Sequence, residues 1–134
     1  MLRRVLTALI LVATIGATAS GCSAAAPPAP LESVEADAWV VIHFSGTSDN
    51  FDLDTMDALL GTETAADEAL QSSDSGWIDG NDIGNHEYNL YFNGYDRDVM
   101  WGILEPIFAQ APVSWTSVEL RTGLDDDQPT LITP

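Results

Sequence analysis

The chain has 134 residues, of which 21 are acidic and four are arginine, with no lysine, and its formal charge at pH 7 is −17. So negative a balance repels phosphate backbones and anionic headgroups and argues against any nucleic-acid partner. The lack of lysine removes Schiff-base and lysine general-base chemistry, and a lone cysteine, Cys22, rules out an intramolecular disulfide.

In chain order, Arg3 and Arg4 precede an apolar run from Val5 to Ile15 and then a small-residue stretch ending at Cys22. That succession is an export signal over residues 1–21. At about 11 to 14 apolar residues it is too short for a transmembrane helix, which needs roughly 20. Ala19-Ser20-Gly21-Cys22 resembles the lipobox of bacterial lipoproteins, departing from it at Ala19, where members usually carry leucine. The resemblance implies cleavage before Cys22, acylation of its thiol with diacylglycerol, and a cell-membrane anchor with the rest of the chain outside the cytoplasm. Residues 22–134 then hold all 21 acids but only Arg97 and Arg121, a formal charge of −19.

Residues 22–36 read as a tether: "SAAAPPAPLESVEA" is small, proline-containing and without apolar periodicity. Its 14 residues from Ser23 to Ala36 reach roughly 40 Å when extended. A folded domain is expected over residues 37–123, followed by an acidic, proline-containing tail, 124–134, without fixed structure.

Within the domain, "AWVVIHFSG" (38–46) is β-branched, aromatic and apolar on both sides, which predicts a central strand with His43 in its core. The next stretch is helical in composition but interrupted by Gly61, so a helix is predicted over 63–71 with a looser turn before it. "GWIDGND" predicts a short strand and "EYNLYFNG" (87–94) a clear one, with Tyr88, Leu90 and Phe92 on one face. "DGNDIGNHE" (79–87) lies where they meet and reads mainly as a hairpin connection, with Gly80 and Gly84 suited to positive φ.

"DRDVMWGILEPIFAQA" repeats apolar residues at the spacing of one helical face, with Asp96 to cap it and Pro106 to kink or restart it. "VSWTSVELRTG" predicts the last strand. The order βαββαβ predicts an α+β ferredoxin-like sandwich: a four-stranded antiparallel sheet with two helices on one face. "GWIDGNDIG" and "YNLYFNGYDRDVMWGILEPIF", within residues 75–123, are similar to a small bacterial ferredoxin-like domain to which no activity is attached. That similarity supports the fold alone.

Three constellations could carry chemistry. Asp79, Asp82 and Glu87 form a candidate divalent-cation or small-ligand site. An EF-hand starting at Asp79 nevertheless fails, because Ile83 and Leu90 occupy the fifth and twelfth positions, where oxygen ligands are required. His43 and His86 could meet on adjacent strands, but His86 reads as a loop residue. Trp39, Tyr91 and Trp115 could share the sheet face away from the helices and make an interaction surface for a protein partner. No serine-nucleophile motif and no phosphate loop is present, so no enzyme and no cofactor is expected. The leading expectation is a non-catalytic, lipid-anchored interaction module, with cation binding as the competing one.

Overall fold

The structure, a computed structural model, describes residues 35–46 and 52–134. Cys22, the export signal and most of the tether lie outside the described residues. The chain is α+β, in the order β1 (Ala38–Ser45), α1 (Leu53–Ser72), β2 (Gly76–Gly84), β3 (Glu87–Gly94), α2 (Arg97–Phe108), β4 (Ser117–Arg121) and β5 (Thr130–Ile132). The strands form one antiparallel sheet in the order β2-β3-β1-β4-β5.

β1 is central because its β-branched and aromatic residues suit a strand covered on both sides. Val40, Ile42 and Phe44 are fully buried on one face, in register with Phe92, Leu90 and Tyr88 of β3. Val118 and Leu120 extend the row on β4. Both helices cover this face: Leu59, Ala66 and Leu70 of α1 join Met100, Leu104 and Phe108 of α2 in one apolar cluster with the strand residues.

α1 is 20 residues long rather than the nine-residue segment expected. It starts at Asp52, whose carboxylate accepts the Thr55 N–H at 2.8 Å, and runs through Gly61. A side chain at Gly61 would meet nothing within 4 Å, so the glycine faces solvent. Its propensity cost of about 1 kcal/mol is outweighed by burying Leu59, Ala66 and Leu70, each worth roughly 1 to 3 kcal/mol according to size. The helix ends in a Schellman turn: Asp74 takes a φ of 56°, its N–H reaches the Gln71 carbonyl, and Ser75 N–H reaches Leu70.

Pro106 does not break α2. The only intrahelical bond it forgoes is the one to the Gly102 carbonyl, and Gly102 is exposed, so solvent can take that oxygen. Asp96 caps the helix as expected, accepting the N–H groups of Asp98 and Val99 at 2.9 and 3.0 Å.

Three further expectations are corrected. The sheet has five strands, not four, because the segment expected to be an unstructured tail returns as β5, pairing Ile132 with Val118 and Thr130 with Leu120. "DGNDIGNHE" is strand for most of its length: β2 pairs with β3 up to Gly84, with a bulge between Ile78 and Gly80. The hairpin turn is only Asn85-His86, with φ of 50° and 64°, the backbone a two-residue type I′ turn requires. Positive φ therefore falls on these two and not on Gly80 or Gly84. Thirdly, Trp115 precedes β4 and turns to the helix side, stacking edge-on against Trp101 with ring centroids 5.6 Å apart.

A candidate site on the uncovered sheet face

Alternation along each strand sends every second side chain to the face the helices leave open. Three registered rows result: Trp77, Asn93, Trp39 and Arg121; then Tyr91, Val41 and Glu119; then Asp82, Asn89, His43 and Ser117. Val41 is only 1% exposed although it lies on this face and outside the helix-side cluster. Polar side chains of the neighbouring strands and Trp39 make up the layer it shares on this face.

That layer is a chain of polar contacts crossing four strands, hydrogen-bonded from β2 through β3 to β1 and continued to β4 by the approach of His43 to Glu119. Tyr91 donates its hydroxyl to Asp82 Oδ2 at 3.0 Å, and Asn89 donates Nδ2–H to Asp82 Oδ1 at 2.8 Å. With the Asn89 amide so oriented, its Oδ1 accepts from His43 Nδ1–H at 2.7 Å. The other ring nitrogen, His43 Nε2, is buried, makes no hydrogen bond and sits 3.5 Å from Glu119 Oε1. The second Glu119 oxygen takes the Arg121 guanidinium, through Nε at 2.8 Å and through Nη2. Burial first, and then the bond to the Asp82 carboxylate, push the Tyr91 hydroxyl above the ordinary tyrosine range. No side-chain hydrogen bond joins His43 to the facing Ser117 among the described residues.

Two edges of this face are fixed by other contacts. Asn93, 6% exposed, donates to the Ala36 and Ala38 carbonyls and so pins the point where the tether enters β1. At the same end, Arg97 donates to the Leu120 carbonyl at 3.0 Å and Arg121 to that of Leu124. Both line an open cleft of about 310 Å³ with Asp37, Tyr95 and Asp96. The two cations of the folded domain are therefore engaged by its own carbonyls and by the Glu119 and Asp126 carboxylates.

The residues picked from sequence separate. Trp39 and Tyr91 share the open face, while Trp115 does not. Asp82 is the acceptor for Asn89 and Tyr91, Asp79 sits exposed in the β2 bulge, and Glu87 is exposed at the start of β3. Among the described residues no three His, Cys, Asp or Glu side chains are grouped to hold a metal ion. His86 is in the hairpin turn and His43 on the open face, so the expectation of a core His43 is also corrected. Sequence reasoning missed Glu119 and Arg121. Their i, i+2 spacing beside an alternating apolar row is the available signal, but only the β1–β4 register brings them to His43.

No family model, curated protein or solved structure matches the chain. No helix among the described residues is long and apolar enough to cross a membrane.

Proposed function

We propose that the chain is a non-catalytic, lipid-anchored domain outside the cytoplasm that docks a basic protein surface on the open face of a ferredoxin-like sheet. The strand order β2-β3-β1-β4, with β5 added at the edge, supports the ferredoxin-like reading. The observation that carries the docking reading is the open face itself: Trp39 and Tyr91 stand there among Asp82, His43 and Glu119, and both arginines are engaged internally. What remains for a partner to meet is aromatic surface within a strongly negative field, which favours Lys- and Arg-rich surfaces and speeds their approach.

The anchor reading rests on the lipobox resemblance at Cys22. Diacylation there holds a chain firmly, each buried methylene contributing roughly 0.8 kcal/mol. A Cys22→Ala variant is expected to leave the membrane fraction, and its retention there would end the anchor reading. For docking, a photoreactive residue is placed at Trp39 or at Tyr91, with Glu68 on the exposed side of α1 as control. The same crosslinked species from both face positions, weakening as salt rises and missing from the control, supports the reading. Equal labelling from position 68, or none from the face, overturns it.

A further inference from the structure

Outside the hydrogen-bonded layer, a second aromatic feature stands where β2 begins. Trp77 and Tyr95 are 36% and 49% exposed, their ring centroids are 6.2 Å apart, and their planes meet at 75°. Together with Gln71, Asp74 and Gly76 they line a cleft of about 210 Å³. Trp77 faces Asn93 across the antiparallel β2–β3 pair, so Tyr95, two residues further on, is its diagonal neighbour. Gly76 and Gly94 are in register so closely that a methyl group on Gly76 would lie 2.4 Å from the Asn93 carbonyl oxygen. The residues following these two glycines in sequence are Trp77 and Tyr95.

We propose that this corner binds an organic ammonium cation. The two rings meet edge to face, both are partly exposed and both line the cleft, and an exposed aromatic face attracts ammonium and quaternary ammonium groups. The Asp74 carboxylate lies on the same lining and supplies the opposite charge. A third contribution is independent of both: the cleft is at the C-terminal end of α1, a 20-residue helix with no basic side chain in its last turn. The negative end of that helix dipole is thus without a cationic partner of its own, and it favours a cation placed there. The charge of −19 over residues 22–134 concentrates cations generally and disfavours anionic ligands. Neither the Trp77 indole nitrogen nor the Tyr95 hydroxyl makes a hydrogen bond among the described residues, so both rings keep their polar tips for solvent or ligand.

The inference does not need a protein partner and stands apart from the docking reading. The same chemistry occurs on a free quaternary ammonium compound and on a lysine side chain, and the two sources are separable. The full-length protein is titrated calorimetrically with choline, with Nα-acetyl-lysine amide, and with 3,3-dimethylbutan-1-ol, the uncharged isostere of choline, at matched ionic strength. Saturable millimolar binding of at least one cation is expected, with the isostere about three- to tenfold weaker. Tighter binding of choline assigns the site to quaternary ammonium compounds; tighter binding of the lysine amide assigns it to a side chain. Trp77→Leu and Tyr95→Leu are each expected to weaken the preferred cation by a similar factor with the circular dichroism spectrum unchanged, and Asp74→Asn to do so without touching the rings. Equal binding of the isostere, undiminished binding by Trp77→Leu and Tyr95→Leu, or no saturable binding of either cation overturns the proposal. None of these results bears on crosslinking from Trp39 or Tyr91, so the two readings fail separately.

Discussion

The two faces of this sheet are built from alternate residues of the same strands and are held by different physics. Toward the helices, Phe44, Phe92 and Phe108 interlock with ring centroids near 6 Å, and nearly every side chain is apolar and fully buried. On the other side, Val41 is buried just as thoroughly, but within a layer in which almost every group is a donor or acceptor. One face is stabilised by the removal of apolar surface from water, a transfer term that involves no titrating group. The other is stabilised by partners, each bond contributing about 1 kcal/mol net. A surface of the second kind can exchange its own contacts for those of a ligand at small cost, which is why the open face is the better place to look for function.

The contrast is tested most severely by Phe92→Ala. Phe92 is completely buried and stacks at 69° on Phe108, so the truncation is expected to cost about 3 to 5 kcal/mol by chemical denaturation. A loss under about 1.5 kcal/mol, the range of a volume-conserving swap, would mean that the helix-covered core is not close-packed.

The covered face has one polar interruption, and it gives the next largest effect. Glu63 of α1 is 4% exposed and accepts the Tyr88 hydroxyl, with Asn81 Nδ2 at 3.5 Å. Tyr88→Phe removes that donor from a buried carboxylate and is expected to cost about 1 to 3 kcal/mol at neutral pH. Burial, and then the bond to Glu63, raise the Tyr88 hydroxyl well above the ordinary tyrosine range. The folded state therefore favours the neutral phenol. Its stabilisation is fully present below the free value of about 10 and is lost as pH rises beyond it toward the folded value. The wild-type chain should lose stability above that pH and Tyr88→Phe should lose less, as read by denaturation midpoints on either side of it. Parallel alkaline curves for the two proteins would remove Tyr88 as the cause.

The sequence disclosed the two faces unequally. The inward row of β3 and the apolar stripe of α2 are local periodicities, and they appear in the structure, except that Val99 at the start of α2 is exposed. Three things depended on pairing that no local window contains. "DGNDIG" has turn composition, yet pairing with β3 makes it a strand and leaves the turn to Asn85-His86. Gly61 reads as a helix stop, but its side-chain position faces open space and the helix continues. "LDDDQPTLITP" reads as solvated chain, and its last residues pair with β4. On the open face, Tyr91 and Trp39 were legible as aromatics of the right parity. Their connection to His43, Glu119 and Arg121 follows from register alone.

Asn89→Ala is expected to separate the faces directly. Asn89 links His43 to Asp82, and losing both bonds from a half-exposed site should cost about 1 to 2 kcal/mol. That is a fraction of the Phe92 effect, although the residues are three apart on one strand. Equal costs would show that the polar layer is as structural as the core and would remove the reason for assigning it to docking.

The smallest effect is expected where the polar layer meets β5. Asp126 accepts from Thr122 N–H and Thr122 Oγ1–H at 2.9 Å, and its second oxygen accepts the Gln128 N–H at 2.9 Å. These bonds, the backbone ones first, hold its carboxyl below the ordinary carboxylate range, and Arg97 adds to them. They close the loop that carries the chain from β4 back to β5, so Asp126→Ala should free the last strand while leaving the remaining four paired. Hydrogen exchange reads this as faster exchange of the β5 amides with unchanged protection of Val40 to Phe44. Because the folded state favours the ionised carboxylate, its contribution is present above the free aspartate value and is lost as pH falls through the lowered one. Acidification of the wild-type chain should therefore reproduce the Asp126→Ala pattern at β5 before the core opens. If β5 and β1 instead open together on acidification, the fifth strand belongs to the same cooperative unit as the covered face, and the division between an apolar core and a partner-held periphery ends short of β5.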